Sequence, residues 1–212
     1  YHMSASLVGS EMCIRDSLDT YELERERGIT IFSKQAMFQW RDMEVALLHT
    51  PGHVDFSAEM ERVLQVLDCA VLVISAADGV QSHTMTLWKL LKRYGIPVFL
   101  FVNKMDRDDA DREGLMEELR ERLGEGCADM ESIYAGDEEK TESMAVCDEA
   151  MLEEYLETGT VGNETLRRAV ETRKVFPCWF GSALRAEGIT ELLDGIAEFS
   201  PCPVYGAEFG AK

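Results

Sequence analysis

The sequence predicts an α/β fold: a doubly wound, mostly parallel sheet with a helical insertion. Three observations predict it. Residues 70–75 (AVLVIS) and 98–102 (VFLFV) are continuous apolar runs of strand length, the pattern of strands covered on both faces. Between them, residues 82–94 place Met85, Leu87, Trp88, Leu90 and Leu91 at helical spacing, and Gly95-Ile96-Pro97 stops the helix. The alternation returns near the C-terminus, where a run over 175–180 precedes a helical period over 189–199. Strand, loop and helix in repetition make parallel strands joined by crossovers, and such sheets take ligands at the C-terminal ends of their strands.

Taken in order, residues 1–17 have no strand or helix period, and the Ser-rich start around His2-Met3 resembles an appended leader outside the fold. The principal domain is expected over 18–204. Residues 36–40 and 45–49 are short runs separated by Arg41-Asp42-Met43-Glu44 and read as an antiparallel hairpin at a sheet edge. A helix is expected over 57–67. The stretch 108–173 is too long for one crossover helix. Residues 111–123 are amphipathic, 124–143 polar and poorly periodic, and 147–156 and 164–172 read as two more helices, so the stretch is expected to be an inserted helical subdomain.

The 212 residues are enough for one α/β domain with an insertion. A net charge of −19 argues against independent binding to nucleic acid, which needs a basic surface. Much of the acid lies between Arg107 and Glu157 and reads as solvated helix faces. The six cysteines form no C-x-x-C pair and no secretory signal precedes them, which suits a reducing, cytoplasmic setting. No apolar run approaches the roughly 20 residues of a membrane span.

The loops at the predicted strand ends carry the chemistry. Asn103-Lys104-Met105-Asp106 follows a buried strand. An aspartate there can accept two hydrogen bonds from guanine N1–H and its exocyclic amino group, which adenine cannot match, while a lysine stem can lie over the base. Gly181-Ser182-Ala183 follows the next strand, where the backbone N–H groups of Ser182 and Ala183 can reach guanine O6; alone, it is an ordinary loop tripeptide. Thr30, in Arg27-Gly28-Ile29-Thr30-Ile31, reads either as a plain β-branched residue or as a hydroxyl ligand of Mg²⁺. Gly52, in Thr50-Pro51-Gly52-His53, can bring its N–H close to a terminal phosphate, and His53 can orient an attacking water. His49 and His53 are four apart, but Pro51-Gly52 between them breaks the helix a zinc pair needs. No window fits G-x-x-x-x-G-K-[ST], the glycine-rich phosphate cradle.

From about Leu18 onward the chain resembles the GTP-binding domain of translational GTPases of the elongation factor G type, and within them the tetracycline-resistance ribosomal-protection proteins. The resemblance rests on Leu23-Glu24-Arg25-Glu26-Arg27-Gly28-Ile29-Thr30-Ile31, His49-Thr50-Pro51-Gly52-His53-Val54-Asp55-Phe56, Ser75-Ala76-Ala77-Asp78-Gly79-Val80-Gln81 and Asn103-Lys104-Met105-Asp106. It implies a P-loop GTPase-like fold, N-terminally truncated, with 205–212 as the entry to a β-barrel domain. It also implies GTP and Mg²⁺ as cofactors and a ribosome as partner. Thr30 would be the metal ligand and switch residue, His53 the catalytic residue, Asn103, Lys104 and Asp106 the base readers, and Ser182 and Ala183 the second base contact. The family has an aspartate at the position of His49, and the missing phosphate cradle implies weak nucleotide binding. An incomplete guanine-nucleotide module and an inactive scaffold are the alternative readings.

Overall fold

The computed structural model describes residues 34–49 and 63–201. The leader expected over 1–17, most of the helix expected over 57–67 and the segment 205–212 lie outside them. Two strands, β1 (Lys34–Trp40) and β2 (Met43–His49), form an antiparallel hairpin in full register from Lys34↔His49 to Trp40↔Met43. Arg41-Asp42 makes the turn, with Arg41 in the left-handed region at φ 50°.

Four parallel strands form the main sheet: β3 (Ala70–Ser75), β4 (Val98–Asn103), β5 (Cys127–Asp129) and β6 (Phe176–Phe180), in the order β3-β4-β6-β5. The hairpin is expected at the edge of this sheet. Among the described residues it forms a two-stranded sheet of its own. The helices are α1 (Ser82–Arg93), α2 (Arg112–Leu123), α3 (Met130–Tyr134), α4 (Glu138–Ala145), α5 (Glu149–Thr158), α6 (Asn163–Glu171) and α7 (Ile189–Phe199).

Each face of the sheet has its own core. On one, Leu72, Ile74, Leu100 and Val102 pack with Trp88 and Leu91 of α1 and Leu115, Met116 and Leu119 of α2. On the other, Phe99, Phe101, Ala128 and Trp179 pack with Met144, Met151, Leu166 and Val170 of α4 to α6 and Leu192, Ile196 and Phe199 of α7. Gly195 of α7 is needed here, because a Cβ would lie 2.2 Å from the Trp179 ring.

Strand β4 is covered on both faces, as its sequence predicts, but β3 is not. Leu72 and Ile74 are buried, whereas Val71 and Val73 are exposed, since β3 has a single neighbour in the described sheet and the helices of the second face do not cover it. Pro177 sits inside the central strand β6. Phe176 N–H donates to Gly126 on the β5 side, so the missing proline donor faces β4, just before that ladder begins at Leu100↔Cys178.

Within 124–143, where the sequence shows no clear period, Cys127–Asp129 adds a strand to the sheet, and all three residues are buried. Part of the acidic charge also has local work. Asp111, Asp129, Asp137 and Asp148 cap α2, α3, α4 and α5 by accepting backbone N–H groups. Among the described residues, no helix is long and apolar enough to cross a membrane.

Candidate functional site

The C-terminal ends of β3, β4 and β6 meet at Asn103. Its carbonyl accepts the Ala76 N–H after β3 at 2.8 Å. Its side-chain Oδ1 accepts the Lys104 N–H at 2.7 Å and the Ala183 N–H, 80 residues away, at 2.9 Å. Met105 N–H donates to the Gly181 carbonyl at 3.0 Å, and Gly181 N–H donates to Val102 at 2.9 Å. Lys104 takes the left-handed conformation, φ 69°, that this crossing requires.

Asp106 stands beside this knot with its side chain 19% exposed. The buried Ser182 hydroxyl donates to it and is the main reason its carboxyl stays below the usual range. Its own backbone N–H and the Arg185 and Arg107 charges act in the same direction, against the opposing effect of desolvation. Arg185 is mostly exposed, with Nε 3.9 Å from Asp106 Oδ2. Ser182 is fixed in turn by a two-way backbone bridge to Glu187, at 3.1 and 3.0 Å. The bridge leaves no room at Gly181, where a Cβ would lie 2.1 Å from the Glu187 carbonyl oxygen.

The loop after β3 is clamped from α2. Glu118 Oε1 accepts the Val80 N–H at 3.1 Å, and Arg122 donates to the Val80 carbonyl. Gly79, at φ 61°, presses against the Glu118 carboxylate.

An ion network lies under the rim at the end of β5. Asp129 has a fully buried carboxylate that receives Arg112 Nε at 3.0 Å, Arg112 Nη2 at 2.6 Å and Ser132 Oγ at 2.9 Å. Burial pushes its pKa up, but the hydrogen bonds and charge of Arg112 outweigh that and hold the carboxyl below its usual range. The Arg112 guanidinium also lies 4.6 Å above the ring of Phe180, the last residue of β6. The network thus braces the strand that leads into Gly181.

A family model described as the elongation factor Tu GTP binding domain matches residues 3–201. The chain belongs to this family. It is 36% identical over 233 residues to elongation factor G 1 of Syntrophus aciditrophicus, covering 88% of this chain and 34% of that protein. It is 39% identical over 217 residues to the oxytetracycline resistance protein of Streptomyces rimosus, covering 92% and 33%. A mitochondrial elongation factor G-1 of Arabidopsis thaliana is 32% identical over 232 residues, covering 88% and 31%. A crystal structure from Thermus thermophilus superposes with a TM-score of 0.75 at 26% identity, over 87% of this chain and 34% of that one. The chain spans about a third of the length of the curated relatives it matches. It is a GTP-binding domain of the kind found in elongation factor G and tetracycline-resistance proteins.

Of the residues singled out by sequence, Asn103, Lys104, Asp106, Ser182 and Ala183 come together on one rim. Thr30, Gly52 and His53 lie outside the described residues. In one respect the geometry differs from the expectation. The Ser182 N–H is taken by Glu187 and the Ala183 N–H by Asn103, so in this form the loop fastens the base readers and presents neither donor to O6. A carboxylate held ionised can accept from the donor edge of guanine, while Asn103, its Oδ1 taken by the Lys104 and Ala183 N–H groups, has its amide N–H groups left to donate. Arg112, Asp129, Glu118 and Arg122 were not legible in the sequence, because their partners are up to 42 residues away and carry no local motif.

Proposed function

We propose that the chain binds guanine nucleotide at the β4–β6 rim as the GTP-hydrolysing domain of a factor that acts on the ribosome in the cytoplasm. The observation that carries this is the Asp106 carboxylate, fixed by the buried Ser182 hydroxyl beside Asn103. An ionised, pre-placed acceptor pair can match guanine N1–H and its amino group without rearrangement, and a base lacking those donors leaves the carboxylate unpaired.

Asn103 and Asp106 read the base, Lys104 covers it, and Ser182 and Ala183 complete the contact once Ala183 N–H exchanges Asn103 for O6. The phosphate side falls to Thr30, Gly52 and His53, with Mg²⁺ held by Thr30; the ion would neutralise charge on the transferring phosphoryl group. His53 would orient the water.

Competitive titration tests the reading. The chain should prefer GDP and GTP over the adenine nucleotides by about tenfold or more, and Asp106→Ala should weaken guanine binding by roughly thirtyfold while leaving adenine binding unchanged. Equal affinity for the two bases, or a preference that survives Asp106→Ala, would refute it.

A further inference from the structure

Hydrogen bonds run in series from α2 to Asn103. Glu118, half-buried on α2, accepts the Val80 N–H at 3.1 Å, and Arg122, one helical turn on and 3.7 Å from the same carboxylate, donates to the Val80 carbonyl. Both main-chain polar groups of Val80 are thus taken by two side chains of one helix. The Val80 side chain itself is buried in the first-face core with Leu115 and Leu119.

Behind Val80 the chain is a closed turn. The Ser75 carbonyl accepts the Asp78 N–H at 3.1 Å and the Gly79 N–H at 2.9 Å. Gly79, at φ 61°, lies so close to Glu118 that a Cβ would stand 2.4 Å from Oε2. Within the same turn Ala76 N–H donates to the Asn103 carbonyl at 2.8 Å, and Ser75 is the register partner of Asn103 in the sheet. A shift of Val80 therefore passes through one tight turn to the strand end where the base loop starts. Met105 of that loop packs against the same core as Val80.

We propose that Glu118 is a positioning residue for base selection: by holding Val80 on α2, it fixes the Ser75–Val80 turn and with it the β3 side of the Asn103–Asp106 loop. It acts through the turn and not on the base. The inference rests on the proposed guanine-nucleotide function. Selectivity is the property it should move. A chain that is only less stable loses guanine and adenine affinity in the same proportion, whereas a displaced Asn103–Asp106 loop loses the guanine contacts alone.

Two measurements on the full chain test this, for wild type, Glu118→Ala and Glu118→Gln. In hydrogen exchange, Glu118→Ala should speed the Ala76, Gly79 and Val80 amides by about tenfold while those of β6 keep their protection. In competitive titration, Glu118→Ala should lower the guanine-over-adenine preference by about fivefold. Glu118→Gln keeps an oxygen for the Val80 N–H and loses the charge facing Arg122, so it should stay within about twofold of wild type in both measurements. Unchanged exchange in Glu118→Ala, or protection lost equally in β6, overturns the hold on the turn. A freed turn with an unmoved base preference, or a Glu118→Gln chain as impaired as Glu118→Ala, overturns the positioning role alone. A wild-type chain with no guanine preference overturns the functional reading and the positioning role together, while the exchange result still reports on the hold.

Discussion

At the rim, Asn103 joins three strand ends through hydrogen bonds of 2.7 to 2.9 Å, whereas the hairpin turn meets α7 through Asp194 and Met43 packs against the second-face core. The rim bonds run largely between backbone groups at the ends of a buried sheet, with Ser182 itself buried. The hairpin's clip is a partly exposed carboxylate on a helix face. A site that must meet a fixed base edge benefits from geometry settled before the ligand arrives. A ribbon outside that rim can be held by a contact that one substitution releases.

The largest effect should come from beneath the rim. Asp129→Ala removes the buried carboxylate that takes two Arg112 hydrogen bonds and the Ser132 hydroxyl, leaving the guanidinium with Glu131 and the face of Phe180, and should cost about 3 kcal/mol in denaturant unfolding. The pH dependence has a definite sign. The folded-state pKa of Asp129 is depressed, so its contribution is complete above the unfolded value of about 4 and is lost as pH falls through the folded value. The gap between wild type and variant should therefore begin to narrow below about pH 4 and go on narrowing as pH falls through the folded value. A gap that persists in acid, or a loss no larger than that of Asp194→Ala, would erase the contrast between a braced rim and a clipped hairpin.

Next in size is Gly181→Ala. The added Cβ meets the Glu187 carbonyl oxygen, a backbone atom that can move only by opening the bridge to Ser182. A stability loss of about 2 kcal/mol is expected. Because Ser182 anchors Asp106, guanine-over-adenine preference should fall as well, while hydrogen exchange in the hairpin stays as in wild type. Loss of protection in both regions would mean that rim and hairpin are not independently held.

How much of this was legible in the sequence follows from the range of each interaction. Strand β4, helices α1 and α7 and the loop at Asn103–Asp106 each announce themselves within a dozen residues, through apolar runs and helical periods that depend on local spacing. Strand β5 did not, because three residues are too few to show alternation and Asp129 looks like a surface acid until Arg112 is placed beside it. The exposed face of β3 was misread for a related reason. AVLVIS has the composition of a strand covered on both faces, and composition does not reveal that the helices of the second face stop short of Val71 and Val73. Within the site, residue types pointed to the base readers. They could not show that Ala183 N–H already serves Asn103, since that bond spans 80 residues.

The smallest effect should be that of Arg185→Ala, and its smallness is informative. Arg185 forms an ion pair with Asp106, but the separation is 3.9 Å and the side chain is 58% exposed, where water and salt screen the interaction. If the carboxylate is fixed mainly by the buried Ser182 hydroxyl, Arg185→Ala should change guanine-nucleotide affinity by no more than about twofold at physiological salt, and less at higher salt. Ser182→Ala, which removes that donor while leaving the charge of Arg185 in place, should cost about tenfold with little salt dependence. Titrations of both variants at two ionic strengths separate the cases. A large, salt-sensitive loss on Arg185→Ala beside a mild one on Ser182→Ala would mean that the rim is held by surface charge, and the base site would then be fastened no more securely than the hairpin.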